Sequence, residues 1–131
     1  MKTTPFFEED YISIEYDAAG KWLYVDWKGY QTEISVRSGC QQMLEALRHF
    51  SCHCVLNDNT RVIGIWTPAA AWVGSEWLPQ MIGNGLERFA WVYSSSILSQ
   101  VSTDEALRHA PPYKGIRTFY NIELAKAWLK S

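Results

Sequence analysis

The patterning of this chain predicts an α/β domain: one mostly parallel sheet with helices packed against it. Three observations lead there. The chain opens with two alternating segments joined by a tight turn. Beyond them, apolar segments of strand length alternate with stretches of helical period. The 131 residues, 47% hydrophobic and 20% charged, match one globular domain around one core.

In the segment Tyr11 to Tyr16, Ile12, Ile14 and Tyr16 fall on one face and Ser13 and Glu15 on the other, the period of a half-buried strand. Asp17-Ala-Ala-Gly20 makes a turn. Lys21 to Trp27, bounded by Gly20 and Gly29, then returns antiparallel. From Thr32 the period changes, and Val36, Cys40, Met43, Leu44 and Leu47 form one stripe of an amphipathic helix ending near Phe50. His53 to Asn57 is short and apolar, as fits a central strand covered on both faces.

Thr67 as N-cap and Pro68 at the first helical position predict a second helix, which Pro79 kinks or restarts and Gly83-Asn84-Gly85 stops. Arg88 to Tyr93 reads as a further buried strand. Ser102 with Glu105 predicts a capping box for a third helix. Pro111-Pro112 breaks the chain before a last short strand, Gly115 to Tyr120. Asn121 caps a closing helix whose Ile122, Leu124, Ala125, Trp128 and Leu129 form its buried face. The order β-β-α-β-α-β-α-β-α, joined by right-handed crossovers, predicts a five-stranded sheet with one antiparallel strand from the N-terminal hairpin and about four helices. Residues 1–10 read as an N-terminal extension and 11–131 as the domain.

Charge and motifs narrow the function. A formal net charge of -2, with Lys and Arg scattered singly, offers no attraction for a nucleic-acid backbone. No apolar run suits a signal peptide or a membrane span, so the chain is expected to be cytoplasmic. Cys40, Cys52 and Cys54 lack a framework spacing and read as reduced, buried thiols rather than metal ligands. His49 and His109 sit where helix C-termini favour a cation. No phosphate-cradling loop, G-x-S-x-G or H-E-x-x-H occurs. The expectation is a protein that is not an enzyme, with no metal and no cofactor.

One stretch invites a site. Asp58-Asn59-Thr60-Arg61 follows the third strand and leads to Trp66, with Trp72 and Trp77 close behind. Turn chemistry accounts for it as a strand-end turn closed by an Asp58 to Arg61 contact. Position allows a binding loop, because ligands gather beyond the carboxyl ends of strands in open α/β sheets. On a regular helix Trp72 and Trp77 would lie about 140° apart, so that one faces the core and the other a rim or interface; packing of all three tryptophans in the core remains open.

The strand order, with Val55 to Arg61 after the third strand, Arg88 to Ser94 as the fourth, Ser102 to Leu107 and the closing Phe119-Tyr120-Asn121 and Ala125 to Leu129, resembles the STAS-like superfamily. Within it the chain is similar to bacterial STAS/SEC14-type, anti-sigma-factor-antagonist-like proteins. The resemblance implies a regulatory module that binds a protein partner, switched by phosphorylation of a Ser or Thr after the third strand, which Asp58-Asn59-Thr60 matches at Thr60. Here, however, Arg61 to Trp66 intervene before the next helix start. Two other classes stand beside it: a carrier of a small apolar ligand or lipid tail in a Trp-lined pocket, and a homodimeric scaffold whose tryptophans serve the interface.

Overall fold

The Asp17 carboxylate accepts from the backbone N–H of Ala19 at 2.9 Å and of Gly20 at 3.1 Å, closing the turn that brings the first predicted pair of strands together. The structure, a computed structural model describing residues 3–131, places six strands in one sheet in sequence order. They are β1 (Thr3–Glu9), β2 (Ile12–Asp17), β3 (Trp22–Tyr30), β4 (Cys54–Ile63), β5 (Arg88–Val92) and β6 (Ile116–Phe119). β1 pairs antiparallel with β2 and β2 with β3, while β3 to β6 pair parallel. β2 alone therefore runs against the other five, the single antiparallel strand that the hairpin implied.

The sixth strand is β1, where an extension outside the domain was expected. Its Thr-Thr-Pro-Phe-Phe-Glu-Glu has no alternation to betray a strand. What holds it is tertiary: the Phe6 ring lies 5.9 Å from Phe50 and 5.3 Å from His49. Pro5, a register shift and exposed Glu8 and Glu9 suit an outer edge that must not recruit another strand.

Helix α1 (Glu33–His49) starts with a reciprocal capping box between Thr32 and Ser35 and buries Val36, Cys40, Met43, Leu44 and Leu47, the stripe its period predicts. Next come α2 (Thr67–Trp72), a π-helical turn (Val73–Trp77) and α3 (Leu78–Gly83), run together as one broken helix. Trp66, not Thr67, holds the N-cap position of α2, with no side-chain cap. α4 (Ile97–His109) begins well before Ser102, so the expected capping box does not form. Ser102 is instead buried mid-helix, and its Oγ accepts from the backbone N–H of Trp66 at 2.8 Å. Asn121 caps α5 (Ile122–Lys130) by accepting from the N–H groups of Glu123 and Leu124. Leu124 is exposed rather than on the buried face.

The helices divide unequally. α1, α2, the π turn, α3 and α4 cover one face over a large core that includes Trp27, Trp66, Trp77, Phe89 and Trp91. α5 alone packs on the other face, over Trp22, Leu56, Ala90 and Val92. Gly74 in the π turn lets α4 approach closely, since a Cβ there would run into the Ala106 carbonyl oxygen.

Candidate functional site

β4 does not end at the polar cluster. Asp26 of β3 faces Asp58 of β4, and Lys28 faces Arg61, so three steps along β4 match two along β3. The extra residue makes a bulge, a feature common beside functional sites. Thr60 and Arg61 are both exposed at it, and Val62 returns to the core. The cluster is thus part of a strand and not a strand-end turn, and the expected Asp58 to Arg61 contact is absent. Asp58 accepts from the Thr60 N–H at 2.9 Å, from the Thr60 hydroxyl and from the Tyr24 hydroxyl at 2.7 Å. Arg61 pairs instead with Asp26 of the neighbouring strand at 3.3 Å.

Strand alternation then gives β4 two chemically different faces. On the side of Asp58, burial pushes the Asp26 carboxyl above its usual range, an effect the Arg61 guanidinium opposes. Oδ1 of Asp26 is buried with no hydrogen-bond partner. Burial, and then the bond to Asp58, likewise raise the Tyr24 phenol.

The side of Asn57 and Asn59 is the interior of the large core, where these residues are only 3% and 4% exposed. A buried amide is costly unless its hydrogen bonds are made. The indole of Trp27 can only donate, and its Nε1 lies 2.9 Å from the side-chain oxygen of Asn57. That contact turns the Asn57 amide so that Nδ2 donates to Oδ1 of Asn59 at 3.2 Å. Asn59 is therefore turned as well, and its Nδ2 is the free end of the relay. Among the described residues, no acceptor meets it.

The relay ends in a cavity whose aromatic wall is Trp27 from β3, Phe89 and Trp91 from β5, Trp66 before α2 and Trp77 from the π turn. Val36, Cys40 and Met43 of α1 close it from above, and Gln31 stands in the loop between β3 and α1. Trp66 and Trp91 stack with centroids 6.4 Å apart, and Phe89 meets Trp77 edge-on at 5.9 Å. Trp77 is anchored by an Nε1 bond to the Cys40 carbonyl at 2.7 Å. Nε1 of Trp91 is buried without a partner. About 30 Å³ of the cavity admits the centre of a water molecule, roughly two waters' worth.

Of the residues singled out in the sequence, Asn59, Trp66 and Trp77 meet at this cavity. Asp58, Thr60 and Arg61 do not: Asp58 and Arg61 bond to β3 groups across the sheet, and Thr60 bonds back to Asp58. Trp72 is half-buried away from the cavity, under the Arg37 guanidinium at 4.7 Å from its ring, while Trp77 is buried in the core, the division expected of the pair although a π turn replaces the regular helix on which it was argued. Trp27, Asn57, Phe89 and Trp91 were missed. One signal existed, since Asn57 and Asn59 stand two apart and must share a strand face.

The histidines lie elsewhere: Nδ1 of His53 is 2.7 Å from the Gly85 carbonyl, and Nε2 of His109 is 3.1 Å from Glu105. Among the described residues no group of three or more His, Cys, Asp or Glu is placed to hold a metal ion, and no helix is long and apolar enough to cross a membrane. Compared with known proteins, the chain matches no family model, no curated protein and no solved structure.

Proposed function

We propose that this protein is a non-catalytic binding domain of STAS-like type whose inner cavity takes a small, largely apolar ligand, or the end of a longer one, bearing a hydrogen-bond acceptor. The observation that carries this reading is the Trp27–Asn57–Asn59 relay, which leaves an amide donor beside a wall of indoles. The Trp91 indole N–H on the same wall is a second donor, buried without a partner, and such a donor costs about 1–3 kcal/mol unless something accepts from it. Amides and indoles bind and orient but exchange no protons near neutral pH, and burial raises the Cys40 thiol, so the lining favours binding over turnover. The carboxyl halves of β3 to β5 are also where ligands gather in parallel sheets. A phospho-switch at Thr60 is the second reading, favoured by its exposure on the bulge; the stretch up to Trp66 still separates it from the helix N-terminus that the resemblance would require.

Titration with acetone, cyclopentanone and cyclopentane, followed by the indole N–H resonances in a proton–nitrogen spectrum, tests the ligand reading. The two ketones should shift Trp27, Trp66, Trp77 and Trp91 selectively and more strongly than the hydrocarbon, and Asn59→Leu should erase the preference. Uniform shifts of all seven tryptophans, or none, would overturn it.

A further inference from the structure

The exposed large apolar side chains are not spread evenly. Tyr30 and Ile63 are ladder partners at the ends of β3 and β4, and Gly64 lies directly against the Tyr30 ring. Ile65 follows. The Ser99 hydroxyl donates to the Gly64 carbonyl and the Ser102 hydroxyl accepts from Trp66, which brings the start of α4, with Ile97, Leu98 and Val101, against residues 64–66. Ile34 lies in the first turn of α1, just beyond Tyr30. Tyr30 is 76% exposed, Ile34 81% and Ile97 74%, far above what a side chain at the margin of a core retains.

We propose that this end of the sheet is the interface of a homodimer, in which a second copy covers the patch by a twofold contact. From their exposures, the seven side chains present on the order of several hundred Å² of apolar surface, approaching the ~800 Å² per partner that a standard interface buries. The charged residues close in sequence to these side chains carry both signs: Lys28 before Tyr30, Glu33 and Arg37, paired with each other at 3.1 Å, on either side of Ile34, and Asp104 after Val101. A mixed rim can complement itself across a twofold axis. It gives no basic cluster of the kind that draws a protein onto an anionic lipid surface, and the chain as a whole carries a net charge of -2.

The patch also borders the cavity. Tyr30 precedes Gln31 and Ile65 precedes Trp66, both cavity residues, so a second copy would shut water out of the mouth and strengthen any bond made by Asn59. This last consequence rests on the ligand reading; the dimer itself does not, and is tested without any probe.

Sedimentation equilibrium on the full chain at micromolar concentration should give twice the 15.1 kDa chain mass. Ile34→Glu and Ile97→Lys each place a charge on the axis twice over and should raise the dissociation constant at least ~100-fold, with circular dichroism unchanged. Leu124→Glu, on exposed α5, should leave the dimer intact. Monomer at all concentrations, or a dimer indifferent to both patch variants, would overturn the proposal. So would a monomeric chain that cosediments with phosphatidylcholine vesicles through Ile34 and Ile97, which would assign the patch to lipid.

Discussion

The two faces of β4 solve the same difficulty in different ways. Toward α1 and α2, Asn57 and Asn59 sit buried among tryptophans, and only uncharged groups are used, aligned by a donor that cannot reverse. On the other face, where α5 covers only part of the sheet, Asp26 and Asp58 keep charged side chains at the cover's margin and recruit Tyr24, Thr60 and the largely exposed Arg61. The contrast follows from desolvation: a neutral amide can be buried at the cost of its hydrogen bonds alone, whereas a carboxylate needs a cation or water within reach. On the proposed reading the uncharged face holds the ligand; on the charged face the Asp26 carboxyl, raised by burial, is where pH is felt.

Breaking the interior face has the largest expected effect. Trp77→Ala removes a ring that is 2% exposed and anchored to α1, and should lower the unfolding free energy by about 3–5 kcal/mol in urea denaturation. Trp66→Ala should fall near the same range, since Trp66 belongs to the core as well as to the cavity.

Asn57→Ala should cost less, about 2–3 kcal/mol, because it strands the Trp27 donor and one acceptor of Asn59 without opening so large a void. A double-mutant cycle with Asn59→Ala should return a coupling energy of about 0.5–3 kcal/mol. Additive losses would show that the amides act separately.

The charged face sharpens the comparison through pH. Asp26 holds its proton more tightly folded than unfolded, so the folded state binds more protons between the ordinary value of 3.8 and the raised one. Stability attributable to this group is therefore present below 3.8, falls as pH rises through that window and stays lower above it. Asp26→Asn should flatten this part of the stability curve relative to wild type. Carboxyl carbon titration should find Asp26 above its usual midpoint, and higher still in Arg61→Ala, which removes the cation that opposes the shift.

The smallest effect belongs to Thr60. Thr60→Glu puts an exposed charge beside Asp58 and should move the melting temperature little, within about 1 kcal/mol equivalent. A large loss would mean that the Thr60 to Asp58 bond, and not β3 pairing, holds the bulge.

Local patterning made much of the fold legible. The opening hairpin, the alternation of strands and helices after it, the buried stripe of α1 and the Asn121 cap all depend on residues within a few positions of one another, and these interactions persist wherever the segment lies. Two local signals misled. Ser102-x-x-Glu105 has the letters of a capping box, yet the helix already passes through it from Ile97, and Asp58 to Arg61 has the letters of a turn, yet β3 continues the ladder alongside it after β5 has stopped at Asp58.

What the amino-acid sequence by itself determined is the set of elements and which side of each is apolar, because periodicity and caps act within a single turn of helix or a few strand residues. Tertiary structure alone decided that residues 3–9 join the sheet, that β4 runs on through a bulge, and that Asn57 and Asn59 face tryptophans from β3, β5 and the π turn. A polar residue carries no mark of what will satisfy it: the partner of Asn57 is an indole 30 positions away, and that of Arg61 a carboxylate on the neighbouring strand. Only packing at a distance brings such groups to hydrogen-bonding range, and only there do Asn57 and Asn59 come to line a cavity.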